Sequence, residues 1–371
     1  MMIESFPTAI HLKDTNTPPN ARTYIIFFIT GNPGLISYYT TYLHHLYSLL
    51  STSNRSKTLT FQVYGASLSG FDVHGKEQGS VPGKSPPYGL LDQIEGVSNS
   101  LQALVAKERK GSGRDEAPRV VLIGHSVSLT ASHGTGNPRI TGLKLIGVAA
   151  QVGAFILLEL IRRERGQQLQ RQPGLNIVGG VCLTPTVVDI ARSSSGRVAS
   201  FLLLIPGYVL ITSLIVKLLT FWIPSRALET LVRVVTRFPA DAAAVTAAFI
   251  KSRWGVRQAL HMAREEMQVI TTDTLDDEIW GAAAPSVSGL PRPKLFFLFA
   301  KEDHWVADET RDELIRLRAR KGDGEEWKPK MEVDASGLVH GFCIRHSVPV
   351  AGKVKGYIDE IVEADMAMSI R

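Results

Sequence analysis

Short runs of consecutive apolar residues alternate along the chain with longer stretches in which apolar residues recur every three or four positions. The first pattern predicts buried strands and the second predicts amphipathic helices. The predicted strands are Tyr24–Ile29, Phe61–Gly65, Arg119–Ile123, Asn176–Leu183, Lys294–Ala300 and Lys330–Val333. The predicted helices are Tyr38–Leu50, Leu91–Lys107, Gly153–Arg163 and Val354–Ala364, with a polar linker over Glu108–Pro118. This alternation indicates an α/β fold with a mostly parallel central sheet and helices on both faces.

The chain has 371 residues, which is longer than most single domains. Because α/β folds of about 250–300 residues are often one domain, we expect one core that is interrupted by a large insertion. Residues 1–185 would form the N-terminal part of this core, 186–290 a hydrophobic cap and 291–371 the C-terminal part. Residues 127–151 are an atypical insertion within the first part.

The composition bears on the binding partners and the cellular location of the protein. The net charge is +6, and a basic chain can bind nucleic acid or an anionic membrane. No lysine-rich run or interleaving of basic and aromatic residues is present, which argues against nucleic acid as a partner. Cys182 and Cys343 supply no disulfide framework, and the polar residues 1–20 lack the apolar core of a signal peptide. These features favour a protein that faces the cytosol.

Gly124-His125-Ser126 follows directly on the predicted strand Arg119–Ile123. A G-x-S motif in that place indicates a nucleophile elbow, a sharp strand-to-helix turn that exposes a catalytic serine hydroxyl. The motif normally ends in a second small residue because strand and helix pass close together there, but its fifth position is Ser128 here. Ser126 is the predicted nucleophile.

A serine nucleophile needs a base to remove its proton and an acid to orient that base. Asp303 follows the end of the predicted strand Lys294–Ala300, where α/β sheets place functional loops. Glu302 and Asp308 are alternative acids in the same loop.

His340 is the predicted base, because it lies in a turn of small residues after the last predicted strand. His346 follows an arginine and is expected to be solvated, and His304 adjoins the acid in sequence. The order Ser126, Asp303, His340 along the chain matches the order that this type of fold uses.

The oxyanion of an acyl-transfer intermediate also needs hydrogen-bond donors. The backbone N–H of Val127, directly after the nucleophile, is one predicted donor, and Gly31 or Asn32 in the loop after the first predicted strand is the other. The alternative for Gly31-Asn32-Pro33-Gly34 is a simple tight turn. No cluster of His, Cys or Asp has metal-ligand spacing and no phosphate-binding loop is present, so no metal or organic cofactor is predicted.

Several motifs together resemble the lipid droplet-associated hydrolase family, a branch of the α/β-hydrolases. They are Ile29–Gly34 with Tyr38-Tyr39, Leu122–Ser126, Leu183–Thr186, Ile190–Ser193 with Gly196, Lys301–Val306 and Val339–His346. The resemblance implies an α/β-hydrolase fold with Ser126 as nucleophile, Asp303 as acid and His340 as base. It also implies lipid esters, such as sterol esters, as substrates and residence on lipid droplets and the cytosolic face of the endoplasmic reticulum membrane. The alternative is a weakly active or inactive droplet protein that affects lipid storage through its membrane segment.

The sequence departs from the family pattern at residues 127–151. Removing them joins Ser126 to Val152 and gives Gly-His-Ser-Val-Gly-Ala-Phe, a complete elbow. Val127-Ser128 can be encoded by a splice-donor sequence and Gln151 by an acceptor end, so we interpret the stretch as a translated intron. The alternative is a genuine surface insertion, which would displace the following helix and one oxyanion donor.

Residues 198–224 form the most apolar segment of the chain. A bilayer span needs about 20 apolar residues, but Pro206-Gly207 and Lys217 interrupt this segment. We expect two short helices that enter one leaflet and return, a hairpin suited to the phospholipid monolayer of a droplet. The flanking residues that can meet head groups and the interface are Arg192, Arg197, Arg226 and Trp222. A cap packed on the core and a single membrane span are the alternatives.

Overall fold

The computed structural model describes most of the chain, including the predicted triad residues Ser126, Asp303 and His340. The described residues are 6–14, 21–52, 58–73, 83–112, 117–126, 152–170, 174–187, 190–271, 273, 275, 279–280, 289–322 and 324–370. The insertion 127–151, with the predicted oxyanion donor Val127, lies outside them.

Seven strands form one sheet in the order β1-β3-β2-β4-β5-β6-β7. They are β1 (Ala9–Lys13), β2 (Arg22–Ile29), β3 (Leu59–Ala66), β4 (Arg119–His125), β5 (Asn176–Leu183), β6 (Lys294–Ala300) and β7 (Lys330–Asp334). All neighbouring pairs are parallel except β1 with β3. The mostly parallel α/β fold predicted from the sequence is therefore confirmed. Because the strands are parallel, the ends of β4, β5, β6 and β7 meet along one edge of the sheet.

Ten α-helices are present in the described part of the chain. They are α1 (Thr40–Ser51), α2 (Leu90–Ser112), α3 (Gly153–Leu169), α4 (Ser194–Leu203), α5 (Tyr208–Phe221), α6 (Ser225–Thr236), α7 (Ala240–Lys251), α8 (Gly255–Val269), α9 (Asp308–Arg318) and α10 (Ser347–Ile370). The predicted linker over Glu108–Pro118 is wrong at its start, because α2 continues to Ser112. Glu108 instead lies on the helix and accepts hydrogen bonds from Lys13 of β1 and Gln62 of β3.

Helices α4–α8 lie between β5 and β6 in the chain, and α8 ties this helical insert to the core. The side chain of Gln258 in α8 accepts a hydrogen bond from the backbone N–H of Tyr88 and donates one to the Tyr88 carbonyl oxygen. Asn32 donates its side-chain amide to the carbonyl oxygen of Ala259, also in α8. Both glutamine and asparagine are fully buried, so α8 is fixed against the loops that surround the sheet edge.

The apolar segment 198–224 forms α4, a bend at Gly207 and α5. No single helix in the described ranges is long and apolar enough to cross a membrane, whereas Ser195–Leu203 and Tyr208–Phe221 together have the required length and composition. These two helices are bent by 96° relative to each other, so α5 does not return alongside α4 as the predicted hairpin would. The difference arises because α5 packs against α7 and α8, which set its direction.

Helix α5 buries polar residues and exposes apolar ones, which is the reverse of an amphipathic helix in a water-soluble domain. Its buried residues include the polar Thr212 and Ser213. Its exposed side chains are mostly large and apolar, namely Leu210, Ile211, Leu214, Ile215, Leu218, Leu219 and Phe221. The Nζ atom of Lys217 donates a hydrogen bond to the carbonyl oxygen of Arg253, so the protein supplies a partner for this ammonium group on an apolar helix.

Candidate active site

Ser126 lies at the C-terminal end of β4, directly after the last strand residue. Its backbone N–H donates a hydrogen bond to the carbonyl oxygen of Leu183 at the end of β5, at 3.1 Å. The serine residue is fully buried. The position of Ser126 is therefore fixed by the two central strands, as a nucleophile elbow requires.

Helix α3 packs closely on β4 although 127–151 separate them in sequence. A Cβ atom on Gly153 would lie 2.8 Å from both the backbone nitrogen of His125 and the carbonyl oxygen of Ile29. A Cβ atom on Gly124 would lie 2.9 Å from the Cα atom of Ala154. Gly153 thus occupies the place of the second small residue of the G-x-S-x-G motif, and α3 is not displaced from the strand.

Val152 therefore precedes α3 at the position that normally follows the nucleophile. It is fully buried and is the N-terminal cap residue of α3, whose first backbone N–H groups have no partner within a helix. Val127, the predicted donor, lies outside the described residues, so that prediction is not tested. Because removal of residues 127–151 joins Ser126 to Val152, Val152 is a second candidate for this donor.

Asp303 and His340 are joined by a short hydrogen bond. The distance from His340 Nδ1 to Asp303 Oδ2 is 2.6 Å, and both side chains are buried, with 8% and 3% exposure respectively. Because a carboxylate only accepts, Nδ1 carries the proton and Nε2 is left as the basic nitrogen. Asp303 Oδ1 accepts the backbone N–H of Trp305 at 2.9 Å, which holds the carboxylate in place.

The competing candidates do not share this arrangement. Glu302, Asp308 and His304 are exposed, and His346 is only half-buried. Within the described ranges, no group of three or more His, Cys, Asp or Glu residues is placed to hold a metal ion. The structure thus brings together Asp303 and His340, whereas the other titratable candidates of these loops are exposed or half-buried.

The backbone around Ser126 is tied to the loop of His340. His125 donates from Nε2 to the carbonyl oxygen of His340 at 3.0 Å. The hydroxyl of Thr184, directly after β5, donates to the carbonyl oxygen of Ser126 at 2.9 Å and approaches that of His340 at 3.4 Å. The Nε2 atom of His340 is buried and makes no hydrogen bond to any described residue.

Thr186, two residues after Thr184, also lies close to the serine side chain. The backbone N–H of Thr186 lies 3.5 Å from Ser126 Oγ, and its own hydroxyl is buried without a hydrogen-bond partner among the described residues. Sequence reasoning assigned no role to Thr184 or Thr186, although the Leu183–Thr186 motif contributed to the family resemblance.

In the loop Gly31–Gly34, which we predict to stabilise the oxyanion, one backbone N–H group already makes another hydrogen bond. The backbone N–H of Gly31 donates to the hydroxyl of Tyr39 at 3.4 Å. The Tyr39 hydroxyl in turn donates to Nδ1 of His125 at 2.9 Å, because Nε2 of that ring carries the proton that bonds to His340. Burial, and then the neighbouring His340, keep the pKa of His125 well below its usual value, so this ring is neutral. Asn32 remains the predicted second donor.

The fold is similar to that of solved α/β-hydrolases. The peroxisomal α/β-hydrolase Lpx1 of Saccharomyces cerevisiae superposes with a TM-score of 0.56 at 14% sequence identity, over 96% of this chain and 82% of its own. The juvenile hormone epoxide hydrolase of the silkworm Bombyx mori gives a TM-score of 0.50 at 12% identity, over 96% of this chain and 73% of its own. These similarities confirm the predicted α/β-hydrolase fold.

Sequence relatives narrow the assignment. The lipid droplet-associated hydrolase of Gallus gallus is 24% identical over 345 residues, which cover 91% of this chain and 86% of the relative. The Homo sapiens protein of the same name is 27% identical over 197 residues, which cover 50% and 47% of the two chains. A sequence profile for the lipid-droplet associated hydrolases matches residues 22–128 and 137–343. Because these ranges comprise most of the chain, this protein belongs to the lipid-droplet associated hydrolase family.

Proposed function

We propose that this protein hydrolyses lipid esters at the surface of lipid droplets through Ser126, His340 and Asp303. Family and fold support a hydrolase role. The observation that carries the serine mechanism is the buried 2.6 Å hydrogen bond from His340 to Asp303, at the same edge of the sheet as Ser126. It leaves the imidazole in the tautomer that a general base needs.

In the proposed reaction, Ser126 Oγ attacks the carbonyl carbon of the ester while Nε2 of His340 takes the hydroxyl proton. The negative charge on the carbonyl oxygen is stabilised by the backbone N–H of Asn32 and by a second N–H at the elbow, which is that of Val152 once residues 127–151 are absent; each is worth about 3–4 kcal/mol of the barrier. The tetrahedral intermediate expels the alcohol, which receives the proton from His340. A water molecule, deprotonated by the same imidazole, then releases the fatty acid from Ser126.

The outward face of α5 supports a lipid surface as the working environment. Thr212 and Ser213 point inward, while Leu218 and Leu219 are 71% and 67% exposed. A water-soluble domain would place such residues the other way round. We therefore expect this face to enter the phospholipid monolayer of a droplet or the cytosolic leaflet of the endoplasmic reticulum membrane, with sterol esters among the candidate substrates.

Residues beside α5 suit the edge of such a layer. Trp222 is 82% exposed at the end of the helix, where an indole prefers the boundary between head groups and acyl chains. Arg226 and Arg233 are exposed on the next helix, α6, where their charges can meet anionic head groups.

A serine-directed fluorophosphonate probe tests the mechanism on the full-length protein. We expect Ser126 to react, Ser126→Ala to abolish labelling, and Asp303→Asn to slow it by about 10³-fold or more, because the imidazole then loses its required tautomer. Glu302→Gln is the matched control, because it neutralises the exposed neighbouring carboxylate and is expected to leave the rate unchanged. A well-folded wild-type protein that does not react would favour the alternative, an inactive droplet protein.

A further inference from the structure

Thr184 adopts a backbone conformation that its side chain disfavours. Its φ is +43°, in the left-handed region where glycine is the usual residue and a β-branched residue is a clear outlier. The residue is fully buried at the end of β5, and its N–H remains bonded to the carbonyl oxygen of Leu298 in β6 at 2.8 Å. The surrounding structure therefore holds a strained residue where glycine would fit without strain.

The hydroxyl of Thr184 makes a hydrogen bond that a glycine at this position could not make. It donates to the carbonyl oxygen of Ser126 at 2.9 Å and lies 3.4 Å from that of His340. These two carbonyl groups belong to the proposed nucleophile and base, which come from loops 214 positions apart in the chain. The left-handed turn also brings the N–H of Thr186 to 3.5 Å from Ser126 Oγ.

We propose that Thr184 is a positioning residue that holds the backbones of Ser126 and His340 in register. This inference rests on the proposed serine mechanism and adds a residue to it. Strain at a buried turn is retained because the hydroxyl fixes the distance between nucleophile and base. A shift of about 1 Å between reacting groups can cost about 100-fold in rate, so loss of this hydroxyl is expected to slow acylation.

Three variants of the full-length protein separate this role from a merely structural one. Thr184→Gly removes both the strain and the hydroxyl, and Thr184→Ser keeps the hydroxyl. Arg237→Gly is the matched control, because Arg237 is the other non-glycine residue with a positive φ (+56°) in the described part of the chain, and it is exposed at the end of α6. For each variant, the rate of fluorophosphonate labelling is measured against pH together with the unfolding temperature.

We expect Thr184→Gly to fold with an unfolding temperature close to that of the wild type and to react about 10- to 100-fold more slowly at the high-pH plateau. The pH midpoint should not move, because the bond between His340 and Asp303 is untouched. Thr184→Ser and Arg237→Gly should react at rates close to the wild type. Equal rates for Thr184→Gly and the wild type would overturn this inference alone, whereas a wild type that is not labelled at Ser126 would overturn it together with the proposed function.

Discussion

Gly124 and Gly153 are separated by the 127–151 insertion in sequence, yet their backbones are in van der Waals contact. A Cβ atom on Gly124 would lie 2.9 Å from the Cα atom of Ala154 in α3. A Cβ atom on Gly153 would lie 2.8 Å from the backbone nitrogen of His125 in β4. This contact closes the turn that presents Ser126. The elbow is therefore defined by packing rather than by the continuous five-residue motif.

Substitution of Gly153 by alanine is expected to destabilise the protein. The added methyl group has backbone atoms as neighbours, which cannot move away as a flexible side chain would, so we expect a loss of about 1–3 kcal/mol in the free energy of unfolding. Gly166→Ala is the matched control in the same helix, where a Cβ atom meets nothing within 4 Å. That substitution should stabilise by about 0.5–1 kcal/mol, because alanine favours helix. Chemical denaturation of both variants measures the difference, and equal effects would contradict the close packing.

The neutral state of His125 makes stability depend on pH. Because burial depresses the pKa of this ring in the folded protein, the unfolded chain binds a proton below about pH 6.5 that the folded protein does not. The unfolding free energy should therefore fall as the pH is lowered from about 6.5, with this histidine contributing up to about 1.4 kcal/mol per pH unit.

Denaturation curves between pH 7 and pH 5 test this contribution. His125→Gln should show a shallower fall than the wild type, because the titrating ring is absent. His44→Gln, at an exposed position on α1, should keep the wild-type slope. If His125→Gln and the wild type lose stability in parallel, the ring is not the source of the dependence.

The outward face of α5 should govern binding to lipid surfaces without affecting the fold. Leu218→Asp places a charge where we propose contact with acyl chains, at a cost of about 2–3 kcal/mol, so binding to phospholipid-coated oil droplets should fall at least about tenfold. The unfolding free energy should change by less than about 0.5 kcal/mol, because the side chain is 71% exposed.

Leu169→Asp is the matched control for this substitution. Leu169 is 57% exposed at the C-terminal end of α3, the end opposite to the one that packs at the serine elbow. Droplet flotation should recover this variant as efficiently as the wild type. Retained droplet binding by Leu218→Asp would exclude α5 as the lipid-binding face.

Local sequence patterns predict the bounds of a strand or helix correctly where the residues of that element alone determine it. Strands β5 and β6 match their predicted bounds because each is an apolar run that begins after one polar residue and is flanked by polar or turn residues. The prediction missed β1, which has only five residues with mixed exposure and pairs at the sheet edge with β3. It ended α2 too early because the partners of Glu108 lie on strands that are distant in sequence.

The candidate site likewise contains some residues that the sequence predicts and others that it does not. The sequence points to Ser126, Asp303 and His340 as candidates because each follows a recognisable strand and their order along the chain is informative, and the structure pairs His340 with Asp303. The left-handed conformation of Thr184 could not be predicted, because threonine carries no signal for it and the hydroxyl's partners come from two other loops. The angle between α4 and α5 is set by packing on α7 and α8, which the apolar pattern of 198–224 alone does not encode.

Removal of residues 127–151 should leave the fold intact and speed the acylation of Ser126. Because Gly153 already packs on Gly124 and His125, the deletion joins Ser126 to Val152 without moving α3 and restores a continuous Gly-His-Ser-Val-Gly elbow. A continuous elbow fixes the N–H of Val152 next to the serine, and one such donor is worth about 100-fold or more in rate. Fluorophosphonate labelling of the deletion variant and the full chain measures this gain.

Transcripts across the junction provide an independent check on the same segment. If the stretch is a translated intron, reads that join the codons of Ser126 and Val152 should be present, and the genomic sequence should begin with GT and end with AG at these borders. The matched protein control removes residues 74–82, another stretch outside the described residues, and should not speed labelling. A deletion variant that folds but reacts no faster than the full chain, together with borders that lack GT and AG, would establish the stretch as a genuine part of the protein.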